Sequence, residues 1–304
     1  MKWQQQIGWQ IRSFLYTHLR TRHGRFVLCG LLVGLCYFPV WLGSLTVAAF
    51  QGSAGLPLVT AAVALGLYEL WKRRQELSLL TASNEDQFLG HALIVSGAIL
   101  FPFCRAAVWS QALLWLLVLS GIACSSWGIK FFQRYALVVL LILISVYPKP
   151  GLMARILWKT FTPPNLLENF MAWSGTQTLK MMGQPAEVTG NIVSLPDGSV
   201  EVAWGCNGFN MAFTMAAAGL ILGLFLQQSW IRTSTMMLIG ILLALIFNIP
   251  RIVLLAFASV YWGQEAFDFW HGPMGGQLFT GVLFTIYYYA VMGFINQTSR
   301  KVLS

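Results

Sequence analysis

The chain has 304 residues, of which 57% are hydrophobic and only 10% are charged, with 13 Trp and 21 Phe. One soluble core cannot bury this much apolar surface, so the composition predicts a polytopic membrane protein in contact with lipids and excludes a soluble globular domain. A net charge of +9 would favour nucleic acid as a partner of a soluble protein. Here the basic residues lie in short loops beside apolar runs, which indicates a role in membrane orientation and no nucleic-acid partner.

The predicted elements begin with an N-terminal segment, 1–25, that mixes aromatic and basic side chains and is typical of an interfacial helix on the cytoplasmic side. We expect the remaining apolar runs to form about eight transmembrane helices, at roughly 26–48, 56–71, 88–104, 107–125, 134–148, 207–227, 234–260 and 275–295. The runs at 56–71 and 134–148 are near the lower limit for crossing ~30 Å of hydrocarbon, so six or seven spans remain alternatives. The predicted fold class is an all-α polytopic membrane protein.

The distribution of basic residues predicts the orientation of these spans. With a cytoplasmic N-terminus, most of the 19 basic residues lie on the cytoplasmic side, including Lys72, Arg73, Arg74, Arg232 and Arg300. The positive-inside rule therefore favours a multi-pass protein of the plasma (inner) membrane with both termini in the cytoplasm.

One long segment, 149–205, separates the N-terminal spans (26–148) from a C-terminal region (206–304) that we expect to be catalytic. Its first part has a helical rhythm interrupted at Pro163-Pro164, and its second part alternates as strands do around Pro196-Asp-Gly-Ser199. We therefore predict one extracytoplasmic insertion that contains helices and a short β-hairpin, and this hairpin leads directly to Cys206.

Three residues supply the equipment of acyl transfer: Cys206 in Trp204-Gly-Cys-Asn-Gly-Phe209, Arg251 in Asn248-Ile-Pro-Arg251, and His271 in Phe269-Trp-His-Gly272. A thiol is a nucleophile, an imidazole carries protons, and a guanidinium stabilises an oxyanion. The predicted topology brings all three to the extracytoplasmic side. Pro250 is expected to break the helix beside Arg251, which is tolerated only where protein or water surrounds the backbone.

Each of the three residues also has a purely structural interpretation. Cys206 could be a small packing residue, Arg251 could pair with an acid or extend to the surface, and His271 could be an interfacial side chain. An Arg near hydrocarbon costs on the order of 2.5–3.5 kcal/mol, which favours a functional role. The other cysteines show no metal-ligand or disulfide spacing, so neither a metal site nor a cofactor is predicted; they are Cys29, Cys36, Cys104 and Cys124.

The order of these motifs resembles the exosortase/archaeosortase family of membrane cysteine transpeptidases. The resemblance covers a hairpin, Cys206 with Gly208 at the start of a span, Asn248 three residues before Arg251, and His271-Gly before the last span. It implies that Cys206, Arg251 and His271 are catalytic and that Asn248, Asn207 and Gly208 support them. The common family pattern is Cys-Ser-Gly, whereas this chain has Asn207 in the middle position, a form similar to the cyanobacterial branch.

The resemblance also implies the substrate: an exported protein with a C-terminal tail made of a short PEP-like motif, one transmembrane helix and a basic cluster. Cleavage would occur at the outer face of the membrane through a Cys acyl-enzyme, with transfer to a surface glycan or lipid acceptor. Two alternatives remain open from the residues. One is a membrane protease that releases a free C-terminus, and the other is a transporter or polysaccharide-export component in which Arg251 binds an anion.

Overall fold

The computed structural model describes residues 19–50 and 55–303, so most of the predicted interfacial segment 1–25 lies outside the described residues. In order, the helices are α1 (Arg22–Phe50), α2 (Gly55–Lys72), α3 (Arg74–Ser78), α4 (Asn84–Leu100), α5 (Val108–Trp127), α6 (Lys130–Arg134), α7 (Ala136–Val146), α8 (Pro150–Phe161), α9 (Leu166–Met181), α10 (Phe209–Phe225), α11 (Trp230–Phe257), α12 (Gln264–His271) and α13 (Pro273–Leu303). Short 3-10 helices occur at Phe101–Cys104 and Trp204–Cys206, and a π-helical turn at Ala258–Trp262 follows α11.

Each of the eight predicted spans coincides with one of these helices, which confirms a helical, multi-pass membrane protein. Five described helical segments are long and apolar enough to cross a membrane: Arg22–Phe50, Asn84–Cys104, Val108–Trp127, Trp230–Trp262 and Pro273–Ile295. Two further apolar helices, α7 and α10, are shorter. The sequence therefore predicted the positions of these helices correctly, while the number of eight transmembrane spans stays a prediction.

The chain divides into two compact units, and the first contains the described residues up to Thr46 together with Val59–Pro148. Its closest packing is between α4 and α5, where a Cβ on Gly90 would lie 2.6 Å from the carbonyl oxygen of Gly121. Because only glycine permits this approach, the two backbones are in direct contact, as is common between membrane helices. The Tyr37 hydroxyl donates to the carbonyl of Val146 at 2.8 Å, which links α1 to the end of α7.

The second unit contains the described residues of Val47–Leu58 and all of those from Lys149 onward, including the predicted insertion. Helices α8 and α9 are separated at Pro163-Pro164, as predicted, because two successive prolines lack the backbone N–H groups that a continuous helix needs. Helix α9 packs along the C-terminal half of α11, where a Cβ on Gly175 would lie 2.8 Å from Ile252. This contact brings the insertion against α11, which with the following π-helical turn forms the longest candidate membrane span of the unit.

The predicted β-hairpin is wrong in one respect, because the segment forms three strands. These are β1 (Glu187–Thr189), β2 (Ile192–Leu195) and β3 (Gly198–Glu201), antiparallel in the order β1-β2-β3. The run from Val188 to Leu195, predicted as one strand, is divided by a turn in which Gly190 has φ +61°. A left-handed φ is readily available to glycine, so Gly190 reverses the chain where the apolar alternation alone suggested continuity.

A buried cluster, here called the insertion core, joins α9, the sheet, α11 and the turn that precedes α10. Its members include Met171, Leu179, Val193, Ile252 and Cys206. A second cluster joins α10, α11 and α13 through Met215, Met236, Leu283 and other side chains. Helix α11 contributes to both clusters, so it connects the cluster shared with α10 and α13 to the insertion core, which contains Cys206.

Candidate active site

The candidate nucleophile lies in a tight turn between the sheet and α10. Strand β3 ends at Glu201, and Trp204–Cys206 then form one 3-10 turn in which the Cys206 N–H donates to the carbonyl of Ala203 at 2.9 Å. The Cys206 residue is only 5% exposed and belongs to the insertion core. The turn is therefore part of a packed structure and holds the thiol close to the start of α10.

Two asparagine side chains form hydrogen bonds with the backbone of this turn and of the residues that follow it. Asn248 on α11 donates its amide N–H to the carbonyl oxygen of Cys206 at 2.8 Å. Asn207 accepts a hydrogen bond from the Phe209 N–H at 2.9 Å, which satisfies one of the free donors at the beginning of α10. Both asparagines are fully buried, so these hydrogen bonds do not compete with water and fix the backbone that follows the thiol.

The two glycines nearest to Cys206, Gly205 and Gly208, have different surroundings. Gly208 has φ +82°, and a Cβ there would lie 3.0 Å from the Asn248 side chain. Gly208 therefore permits both the backbone conformation and the approach of Asn248. Gly205 faces open space, because a Cβ there would meet nothing within 4 Å. The side of the turn at Gly205 is thus open, and the flank at Gly208 is occupied.

Arg251 lies one helical turn after Asn248 on α11 and is 9% exposed. One terminal nitrogen, Nη1, lies 3.8 Å from the sulfur of Met211, and Nε is buried without a hydrogen-bond partner. Among the described residues no carboxylate lies within ion-pair distance of this guanidinium. The guanidinium is thus a positive charge with unused hydrogen-bond capacity. Pro250 does not break α11, contrary to expectation, because the helix continues to Phe257.

Burial and charge act in opposite directions on the Cys206 thiol. Burial raises its pKa, because the low-dielectric surroundings disfavour a thiolate, and the positive charge of Arg251 lowers it. Burial has the larger effect, so the pKa of Cys206 is raised overall. Burial thus favours the protonated thiol, and the charge of Arg251 favours the thiolate.

His271 is not in direct contact with the other predicted site residues. It ends α12 as an exposed side chain, and its ring stacks on Phe267 with centroids 5.2 Å apart. Within the described part of the chain, no hydrogen bond joins it to Cys206, Asn248 or Arg251. Phe267 itself packs against the insertion core, so α12 is anchored to the same cluster as Cys206. The structure brings Cys206, Asn207, Gly208, Asn248 and Arg251 together and leaves His271 at the edge.

Glu168 is a site residue that the sequence analysis missed. It lies on α9, is 6% exposed, and accepts a hydrogen bond from the Asn207 amide at 3.1 Å. Glu168 and Arg251 are the only buried charged side chains among the described residues of the second unit, and they occupy two helices that pack together. A sequence signal existed, since an acid within an apolar helical stripe is unusual, but its partner 39 residues away could not be identified from the pattern.

Two basic side chains near the turn were also missed. The guanidinium carbon of Arg155 lies 4.7 Å from the centre of the Trp204 ring, and the Lys159 ammonium lies 5.4 Å from it. The two residues are four positions apart on α8, which was the available signal. Among the described residues, no group of three or more His, Cys, Asp or Glu side chains could hold a metal ion.

The sequence also matches a model of a known protein family. The model of the transmembrane exosortase family (Exosortase_EpsH) matches residues 51–288, which include all the predicted site residues. No curated protein and no solved structure matches the chain. Because the family model covers most of the sequence, the chain belongs to the transmembrane exosortase family, a family of cysteine peptidases and transpeptidases.

Proposed function

We propose that this exosortase is a membrane cysteine transpeptidase that removes PEP-CTERM-like sorting tails from exported proteins. The tail has three parts: a short motif, one transmembrane helix and a basic cytoplasmic cluster. We also propose that the chain belongs to the cyanobacterial branch of the family, on the basis of the motif Trp204-Gly-Cys-Asn-Gly-Phe209. Cleavage would separate the protein from its anchor, and transfer would attach it to a glycan or lipid acceptor at the surface.

The proposed site is at the outer end of the membrane. Helix α11 begins at Trp230, and Arg251 is 21 residues later, a rise of about 32 Å at 1.5 Å per residue. If Trp230 marks the cytoplasmic edge of ~30 Å of hydrocarbon, Arg251 lies at the opposite edge. This depth fits a substrate helix that ends at the outer interface and presents its flanking peptide bond to Cys206. The proposed orientation has both termini in the cytoplasm of a plasma (inner) membrane protein.

The proposed reaction begins when His271 takes the proton of the Cys206 thiol and the sulfur attacks the carbonyl carbon of the scissile peptide bond. A tetrahedral oxyanion forms, and Arg251 stabilises it with a fixed positive charge in a partly dehydrated site. His271 delivers a proton to the leaving amine as the carbon–nitrogen bond breaks, which leaves a thioester on Cys206. The nucleophile of the acceptor then attacks the thioester and frees the thiol.

The position of His271 is compatible with this role. Catalytic hydrogen bonds are often formed only when the substrate is bound, so an exposed imidazole in the free enzyme can still transfer the proton. Helix α12 is short and anchored by Phe267, which lets the substrate complete the contact between the imidazole and the turn that contains Cys206.

One observation supports the proposal most strongly: Asn248 and Arg251, one helical turn apart, both approach the Cys206 turn. Asn248 bonds its carbonyl, and Arg251 is a buried guanidinium with no carboxylate partner among the described residues. An unpaired buried cation is costly unless something anionic visits the site. A developing oxyanion next to the thiol is such a group.

The test is cleavage of a tailed reporter protein in cells that produce the wild-type chain or a variant. We expect Cys206→Ala to abolish the mobility shift that accompanies loss of the tail. Cys124→Ala is the matched control, because Cys124 is also a buried cysteine but lies in the first unit, hydrogen-bonded to the carbonyl of Asp86. Retained cleavage by Cys206→Ala would refute the acyl-enzyme.

The same reporter distinguishes transfer from hydrolysis. Mass spectrometry of the processed C-terminus is expected to find a covalent adduct from the acceptor. A free carboxylate on every product molecule would contradict the transpeptidase proposal and favour a simple membrane protease.

A further inference from the structure

Two cationic side chains share one aromatic ring beside the candidate nucleophile. The Arg155 guanidinium and the Lys159 ammonium lie 4.7 Å and 5.4 Å from the centre of the Trp204 ring. They are one turn apart on α8, where two like charges repel each other. The ring partly offsets this repulsion because its face attracts cations, but it carries no net charge. The pair therefore has a net positive charge that an anion would neutralise.

Neither cation has its hydrogen-bonding groups occupied by the protein. Within the described part of the chain, the head groups of Arg155 and Lys159 form no hydrogen bond and no ion pair. The ring they share is held by packing, because Trp204 contacts Phe209 with centroids 5.0 Å apart and Phe209 contacts Trp158 at 5.5 Å. The two donors are thus positioned by a rigid aromatic group and are available to a ligand.

The position of the ring relates this pair to the reaction. Trp204 precedes Cys206 by two residues, and Gly205 between them faces open space. A substrate peptide that lies across Gly205 with its scissile carbonyl at Cys206 would pass the two cations. The side chain that reaches the cations would therefore belong to a residue near the scissile bond.

We propose that Arg155, Lys159 and Trp204 form an anion-binding subsite that holds a carboxylate side chain of the substrate near the scissile bond. This inference rests on the proposed function of Cys206. Guanidinium and ammonium groups both donate to carboxylates, and the planar guanidinium can do so with two parallel hydrogen bonds. A lipid phosphate has similar chemistry. The open space at Gly205, between Trp204 and Cys206, favours a group carried by the substrate peptide.

The test uses the full chain in vesicles and a tailed reporter whose motif carries Glu, Gln or Lys at the proposed position. We expect the double variant Arg155→Gln with Lys159→Gln to cleave the Glu reporter about tenfold more slowly, as for loss of a charge-assisted hydrogen bond. Cleavage of the Gln reporter is expected to stay within about twofold of wild type, because that reporter does not use the charges. The double reversal to Glu is expected to prefer the Lys reporter.

Lys180→Gln is the matched control, since Lys180 is an exposed base of the same insertion on α9. We expect it to cleave all three reporters like the wild-type chain. Equal losses by the double variant on the Glu and Gln reporters would overturn the proposal. A loss found only in vesicles that contain phosphatidylglycerol, and independent of the reporter, would assign the cations to lipid phosphate and would also overturn it. Cleavage by Cys206→Ala would instead refute the proposed function, so the two failures are distinguishable.

Discussion

Asn248→Asp tests whether the hydrogen bond to the Cys206 carbonyl positions the nucleophile. The change keeps the shape of the side chain and removes the amide N–H that donates to the Cys206 oxygen at 2.8 Å. Asn248 is fully buried, so water cannot replace the lost donor. Leaving a buried carbonyl without a partner costs about 1–3 kcal/mol, and a new carboxylate would also disfavour the thiolate. If the activation free energy of cleavage rises by this amount, cleavage slows by roughly 5- to 150-fold.

The assay is pulse-chase processing of the tailed reporter, with the amount of enzyme in the membrane measured in parallel. Asn191→Asp is the matched control. The amide N–H of Asn191 also donates a hydrogen bond, at 3.0 Å to the exposed Glu201 carboxylate, but Asn191 lies in a turn of the sheet. We expect the control to stay within about twofold of wild type. Wild-type processing by Asn248→Asp at normal abundance would refute the proposed role of the hydrogen bond.

Three further substitutions test the surroundings of the thiol in the same processing assay. Gly208→Ala is expected to block most processing, because its φ of +82° is strained for alanine and the new Cβ would press on Asn248. Gly281→Ala on α13, where a Cβ would also meet nothing within 4 Å, is expected to process normally, and equal rates would contradict this. Glu168→Gln is expected to keep most activity, because the new amide oxygen can still accept a hydrogen bond from the buried Asn207 side chain. Glu168→Ala is expected to slow processing about tenfold. Equal effects of the two variants would show that the hydrogen bond is unimportant. Arg251→Lys is expected to cleave about 10²–10³ more slowly than wild type, nearly as slowly as Arg251→Ala, because a Lys ammonium cannot occupy the guanidinium geometry. The reporter is still expected to co-purify with the Lys variant. Normal cleavage by this variant would show that the residue supplies only a generic positive charge.

The helices were predictable because apolar periodicity and length are written directly in the sequence. The long apolar runs coincide with helices, and the break at Pro163-Pro164 follows from two missing backbone donors. The third strand was missed because Gly190 reverses the chain within a run whose alternation continues on both sides. Helix α11 also continues through Pro250, where a break was expected, and the neighbouring Ile249 and Ile252 pack in the insertion core.

The candidate site was predictable in its residue types and less so in its contacts. Cys206 and Arg251 were recognisable because a thiol at a helix start and a base in an apolar run are both unusual. The buried pairing of Glu168 with Asn207 depends on how α9 packs against the turn, and no local pattern specifies that. The same limitation applies to Arg155, whose position over Trp204 depends on the fold of the insertion.

The most direct measurement is mass spectrometry of the enzyme after rapid acid quenching during turnover of the tailed reporter. The reaction described above predicts a thioester between Cys206 and the new C-terminus of the reporter, located by its mass on the peptide that contains Cys206. This adduct is expected to disappear when hydroxylamine is added, because amines cleave thioesters. Processing that proceeds at the normal rate with the peptide unmodified at every time point, or an adduct on another residue, would contradict the central claim that Cys206 is the nucleophile.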